Sequence, residues 1–424
     1  MSASEPEKPI LFVVSVILIT LTVSFPWCAP LVFGVFPAVF ALIRREQTHT
    51  QVLTLFSLGF LVCLIVLSNP FFIQGQMLLL MLASLYFSVL LGFDCYIAFH
   101  TVRHQYGVLL IFGYILISRC IFYLSTRVFP FYWTLSMQLL PFMGVVSRFI
   151  LPVGWEGLCV AGASMLYLGK FSKPLLMQAA LMVSIAFGLS GIAKACLGYP
   201  PTKPGLVCTL VQGGYALADY LLVQQHPVLG KKIAHQYLGH IEEVESARFV
   251  VLPESAFPWR QIEDSLILQS IQDLARVRNE YIMTGILLEE DGKVYNASIL
   301  INPEGDLQNV YRKRTTVLFV ETAHVTKGIR ADTFLVDGHN IAPVICYESL
   351  FIRNYFRDQK PELYIVISND IFAEQTVLSR LHQAYGVINA RTLGIPLLQA
   401  MQNGPSFYVD SLGTQGFCIY FCRI

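Results

Sequence analysis

Charge is what this chain of 424 residues has least of: only 13% of its side chains are charged, and 29 basic against 28 acidic residues leave a formal charge of +1. That balance excludes nucleic-acid binding driven by net charge, and 55% hydrophobic residues exclude a disordered chain. Paired Cys-x-x-Cys sets are missing from the 10 cysteines, which excludes a zinc site of that type. Fixed-period repeats and low-complexity tracts are absent from the first half. The scarce charge is also uneven, since residues 1–200 hold 15 of the 57 charged side chains and residues 201–424 hold the other 42. The chain therefore reads as an apolar domain over 1–197 and a polar one over 206–424, joined by the Pro- and Gly-rich linker 198–205.

A bilayer core about 30 Å thick takes roughly 20 apolar residues per helix. The first half supplies seven such runs, near 9–26, 28–43, 52–69, 73–93, 106–125, 149–169 and 172–193. No small-residue cleavage site follows Phe25-Pro26-Trp27, so the first run reads as a retained span. With the N-terminus inside, Lys8, Arg44, Arg45, Arg103, Lys170 and Lys173 fall on the cytoplasmic side, and Arg127, Arg148 and Lys194 on the other. Seven spans then deliver the polar domain to the extracytoplasmic face. Asp94, Arg119 and Glu156 lie in or near spans, where structural pairing is favoured over a functional role.

From Leu206 the pattern changes to short β-branched runs alternating with amphipathic stretches. Strands are predicted over 206–212, 248–252, 281–287, 294–301, 307–312, 341–346, 363–368, 396–401 and 406–410. Helices are predicted over 229–245, 259–278, 349–358 and 376–393, with Ile262, Leu266, Ile271 and Leu274 read as one apolar face. Alternation predicts helices packed on a sheet, and nine strands predict two sheets. Asn296-Ala-Ser298 fits a glycosylation acceptor but is read as strand.

Three ionisable groups end apolar strand runs: Glu254 after Phe249-Val-Val-Leu-Pro, Lys313 after Val310-Tyr-Arg, and Cys346 after Ile341-Ala-Pro-Val-Ile. A thiol with a pKa of about 8.5 needs a base before it attacks a carbonyl at neutral pH. Glu254 can supply that base, and the Lys313 ammonium with a backbone N–H after the cysteine can stabilise the resulting oxyanion. The inferred chemistry is acyl transfer through a thioester. Each residue alone also fits a structural role, as a loop carboxylate, an exposed edge lysine or a packing cysteine.

At these motifs the sequence resembles the nitrilase superfamily of αββα sandwiches with a Glu-Lys-Cys triad, and within it the membrane branch, the apolipoprotein N-acyltransferase family. Leu252-Pro-Glu-Ser-Ala-Phe-Pro258 matches the base element. Tyr311-Arg-Lys-Arg-Thr-Thr-Val-Leu-Phe-Val-Glu321 matches the amine element, with Glu321 as a second acid, and Ile345-Cys-Tyr-Glu348 matches the nucleophile element, with Tyr347 and Glu348 in support. Asn369 in Ser368-Asn-Asp370, His382, and Asn403 in Gln402-Asn-Gly404 fall on family positions around the pocket, His382 being read as structural. The resemblance implies catalytic Glu254, Lys313 and Cys346, no metal or nucleotide, and an inner-membrane enzyme of bacterial type. It implies a phosphatidylethanolamine-like acyl donor and, as acceptor, the N-terminal amine of a diacylglyceryl-cysteine lipoprotein.

Departures accompany the match. The family usually has a final span, whereas Phe417 to Ile424 is too short to cross. The stretch between Glu321 and Cys346, which carries a lid in the family, is shorter. Ile371-Phe-Ala-Glu374 stands for Ala-Trp-Phe-Gly, Val320 for Gly, and Asn389-Ala-Arg-Thr392 for Arg-Ala-x-Glu. A membrane-anchored amidase or thioester hydrolase, and a non-catalytic lipoprotein-binding relative, are the alternatives.

Overall fold

The computed structural model of the chain describes residues 7–73, 77–124, 131–169, 172–197, 206–225, 227–244, 247–257, 265–317, 321, 325–354, 356, 359–371, 377–411, 414–417 and 420–421. The linker 198–205, Phe129 and Pro130, Pro258, Val320 and residues 372–376 lie outside them. Two compact units emerge, Met1–Gly198 with Thr376–Thr392, and Tyr199–Gln375 with Leu393–Ile424.

The first unit is helical: α1 Lys8–Ser24, α2 Val32–Ile43, α3 Thr48–Ile73, α4 Met77–Thr101, α5 Gly107–Leu124, the short α6 Phe142–Val146, α7 Pro152–Leu168 and α8 Lys173–Leu197. Among the described residues, four segments are long and apolar enough to cross a membrane, namely Pro26–Ile43, Thr48–Leu67, Leu80–Thr101 and Lys173–Ile192. Lys8–Ser24 and Gly107–Phe122 are apolar but shorter. The three charges expected in or near spans are buried together, with Arg119 Nη2 at 2.6 Å from Asp94 Oδ2 and 3.5 Å from Glu156 Oε1. Helices α3 and α4 meet backbone to backbone at Gly59, where a Cβ would lie 2.8 Å from Ser88 Cα. Small residues permit such approach where lipid provides no hydrophobic drive.

The second unit holds two six-stranded sheets. The first, built from β1 Cys208–Gln212, β2 Phe249–Val251, β3 Tyr281–Glu290, β4 Lys293–Ile301, β5 Leu307–Arg312 and the late β12 Tyr420–Phe421, runs β12-β1-β2-β3-β4-β5. The second comprises β6 Phe334–Val336, β7 His339–Ile345, β8 Leu363–Ser368, β9 Leu397–Met401, β10 Phe407–Val409 and β11 Gln415–Phe417, in order β11-β10-β9-β8-β7-β6. β1 faces β9 and β4 faces β7, so the sheets form a sandwich. Helices α10 Pro227–Glu243 and α11 Ser265–Arg278 cover the first sheet, after the short α9 Leu217–Gln225. The helix expected over 376–393 is α12 Val377–Leu393, which groups with the first unit. Multi-span helices followed by an αββα sandwich is the architecture expected from the sequence.

All nine expected strands form, but details differ. The predicted helix 349–358 is a 3₁₀ segment, Cys346–Asn354, kinked at Phe351. Leu266, assigned to the apolar face of α11, is 68% exposed, while Ile267, Ile271 and Ala275 are buried. Leu266 and Ile271 are five positions apart, about 140° around a helix, so they cannot share a face. β6 was not expected, although Asp337 and Gly338, both at positive φ, turn its hairpin into β7.

Gly59→Leu should force α3 from α4 and destabilise the protein by about 1–3 kcal/mol. Gly113→Leu, into open space, should be near neutral. Thermal unfolding in detergent compares the two, and equal effects would refute a close-packed α3–α4 seam.

Candidate active site

The strand ends of both sheets converge on one buried group of charges. Glu254 follows β2, Lys313 follows β5, Cys346 follows β7 and Asn369 follows β8. Lys313 is 1% exposed, and its Nζ lies 3.1 Å from Glu254 Oε1 and 2.9 Å from Glu321 Oε1. An ammonium so far from water persists only when paired. Burial pulls its pKa down, but Glu254 and then Glu321 outweigh that and hold it well above the usual lysine value. Burial pushes Glu321 up, but Lys313 and the Val317 N–H, donating at 2.7 Å, keep it below the carboxylate range.

Asn296, read from sequence as plain strand, joins the array. Its Nδ2 donates to Glu254 Oε1 at 2.7 Å and to Glu321 Oε1 at 2.9 Å, and its carbonyl accepts from the Lys313 N–H at 2.8 Å. An amide side chain at a buried position of the strand, beside the buried hydroxyl of Ser298, was the available signal. Glu254 is completed by the Asn369 N–H, which donates to Oε2 at 2.8 Å. Among the described residues that is the sole bond to Oε2.

Backbone geometry fixes Glu254. Ser255 adopts φ 55°, a left-handed conformation that costs L-residues about 1–2 kcal/mol, and the Tyr220 hydroxyl donates to its carbonyl at 2.9 Å. Gly285 of β3 passes so close that a Cβ there would sit 2.6 Å from Glu254 Cα. Cys346 likewise has φ 49°. Burial and then Glu254 raise its thiol well above the usual range, with Lys313 pulling the other way. Glu254 acts on the thiol more strongly than Glu321 does.

Glu348 ties the thiol's turn to the lysine's strand. Its carboxylate accepts from the Tyr311 hydroxyl at 3.0 Å and from the N–H groups of Arg314 at 2.7 Å, Thr315 at 3.2 Å and Ile345 at 3.1 Å. Burial pushes its pKa up. Tyr347 is half-buried and packs edge-on against Phe351 at 5.3 Å. Asn403 donates to the Tyr215 carbonyl at 2.7 Å, anchoring a loop rather than bonding to Glu254, Lys313 or Glu321. His382 lies on α12. The arrangement can take a proton from a thiol and stabilise a negative oxygen beside an ammonium.

Residues 222–421 match the carbon–nitrogen hydrolase family. The apolipoprotein N-acyltransferase of Vibrio parahaemolyticus is 25% identical over 207 residues, 42% of this chain and 41% of that protein. That of Shewanella oneidensis is 25% identical over 287 residues, 60% of this chain and 54% of its own length. The chain thus spans about half the length of these curated relatives or less. Among solved structures, a carbon–nitrogen hydrolase from Helicobacter pylori aligns over 50% of this chain and 83% of its own at TM-score 0.40 and 15% identity.

Two outcomes test this geometry. Lys313→Met removes the cation that lowers the Cys346 thiol, so alkylation by a small neutral reagent at pH 8 should slow, and an unchanged rate would separate the thiol from the array. Gly285→Ala should destabilise the protein by about 1–3 kcal/mol in thermal unfolding, because Glu254 must give way.

Proposed function

From the premise that residues 222–421 carry the carbon–nitrogen hydrolase domain, we propose that the chain is an apolipoprotein N-acyltransferase, with Glu254 as base, Lys313 as oxyanion stabiliser and Cys346 as nucleophile. The buried Glu254–Lys313 pair, acting on a thiol held at positive φ, carries this reading. In the first half-reaction Glu254 takes the thiol proton as Sγ attacks the ester carbonyl of a phospholipid. The oxyanion that forms faces the Lys313 ammonium. The C–O bond then breaks, Glu254 returns the proton to the leaving oxygen, and a lysophospholipid departs from an acyl-Cys346 thioester. In the second, the α-amine of a diacylglyceryl-cysteine attacks the thioester. Glu254 takes the amine's proton and passes it to the departing sulfur, so the thiol is restored and an amide is formed.

A raised thiol pKa makes proton removal part of attack, which is why a base must stand beside it. Glu321, Asn296 and Glu348 are positioning residues: the first two align Lys313 and Glu254, and the third holds the Cys346 turn. A phosphatidylethanolamine-like donor and a diacylated lipoprotein acceptor both lie in a membrane, and apolar helices in the same chain replace three-dimensional search with proximity. The proposed location is the bacterial inner membrane, with the catalytic domain on its extracytoplasmic face.

Incubation with a fluorescent phosphatidylethanolamine should leave hydroxylamine-labile label on Cys346, and a diacylated lipopeptide should remove it as an N-acyl product. Cys346→Ala should abolish labelling, and Glu254→Gln or Lys313→Met should slow it on the order of 10²- to 10⁴-fold. An unlabelled Cys346 in folded, bilayer-embedded protein would sink the proposal, and release of free fatty acid in place of N-acylated lipopeptide would favour a thioester hydrolase.

A further inference from the structure

Asp94 on α4, Arg119 on α5 and Glu156 on α7 are buried to 2%, 1% and 0% exposure, a costly arrangement that the acyl-transfer site does not use. Their carboxylates are saturated. Glu156 Oε1 accepts from the Trp133 N–H at 2.6 Å and Arg119 Nη2 at 3.5 Å, and its Oε2 from the Thr134 N–H at 3.0 Å and hydroxyl at 2.6 Å. Asp94 Oδ1 accepts from the Tyr114 hydroxyl at 2.9 Å and Arg119 Nη1 at 3.4 Å, and its Oδ2 from Arg119 Nη2 at 2.6 Å and Trp133 Nε1 at 3.0 Å. Two bonds at every oxygen leave no lone pair aimed at a travelling cation or proton, which argues against a transport site.

What the cluster holds is the segment Phe131–Thr134. Arg119 Cζ lies 5.6 Å from the Phe131 ring centroid, both carboxylates grip Trp133, and Glu156 grips Thr134. The residue between, Tyr132, meets Tyr385 of α12 edge-on at 6.4 Å. Farther along the same stretch, Arg391 of α12 donates to the Gln138 carbonyl at 2.8 Å and to its Oε1 at 3.0 Å. α12 buries Gln383, Asn389, Arg391 and Thr392. The helix also buries Leu381, Ala384, Tyr385 and Ile388 along one stripe, and its buried polar groups need partners that add a directional constraint on its rotation.

We propose that the Asp94–Arg119–Glu156 cluster is a registration device for α12: it fixes Phe131–Thr134 and, through the same stretch as far as Gln138, the seat on which α12 takes its rotation and height. α12 lies in the chain between β8, whose following residue Asn369 bonds Glu254, and β9. These residues therefore act through other groups, and their consequence for catalysis rests on the acyl-transfer reading, whereas the docking does not.

The test is hydrogen–deuterium exchange, with acylation kinetics, on full-length protein in lipid nanodiscs. Glu156→Gln weakens the grip on Trp133 and Thr134, and the milder Thr134→Val removes one bond should the first fail to fold. Exchange across Val377–Leu393 should rise about tenfold or more while that of β7 and β8 stays fixed. Acylation of Cys346 should slow on the order of ten- to a hundredfold in kcat with KM unchanged. Arg391→Met, which acts from the α12 side, should reproduce both effects. Unchanged α12 exchange in folded Glu156→Gln or, failing that, in folded Thr134→Val would overturn the inference. If the wild type itself forms no acyl-Cys346, the function reading fails while the exchange comparison still decides the docking.

Discussion

A lysine ammonium removed from water is the constraint around which the second unit is built. Lys313, at 1% exposure, must keep carboxylates within bonding distance or lose its charge, and Glu254 and Glu321 meet that need from opposite directions in sequence. Two carboxylates against one ammonium leave an excess negative charge. The Asn296 amide spreads it by donating one hydrogen to each acid, and the Asn369 and Val317 N–H groups cap the remaining oxygens. Local features then follow from holding this array in place: the close pass of Gly285 behind Glu254, and the Gly328 N–H that clamps the Lys313 carbonyl at 2.7 Å.

The thiol enters under strain. Its φ of 49° turns Cys346 off the end of β7 and into the reach of charges carried by the other sheet. Such a conformation persists when its surroundings over-determine it. Glu348 supplies that, since one carboxylate collects donors from Ile345 before the cysteine and from Tyr311, Arg314 and Thr315 around the lysine. Neither sheet alone would hold thiol and ammonium in register.

Much of this was legible in the sequence because strands announce themselves by apolar runs, and an ionisable residue at the end of such a run has few places to point. Glu254, Lys313 and Cys346 were singled out that way. Asn296 was missed because a period-2 pattern identifies a strand without saying which inward side chain meets a charge from another strand. Leu266 was misassigned because a face drawn through positions 262, 266, 271 and 274 breaks the i, i+4 spacing that Ile267, Ile271 and Ala275 keep. α12 was read correctly as a helix, but it groups with the first unit through contacts such as that of Arg391 with Gln138, a bond across 253 residues that no local pattern records.

The two buried charge clusters in this chain differ in how far their carboxylate oxygens are saturated. At Asp94 and Glu156 every carboxylate oxygen accepts two hydrogen bonds, and moving a proton there would break a bond already made. At Glu254 the oxygen facing Lys313 and Asn296 is equally saturated, while Oε2 accepts only the Asn369 N–H among the described residues. Under the proposed function, a carboxylate held on one oxygen and less saturated on the other suits a base, which must be aimed and still receive a proton. Burial and ion pairing alone would have marked both clusters as candidate sites, and counting acceptor capacity oxygen by oxygen distinguishes them.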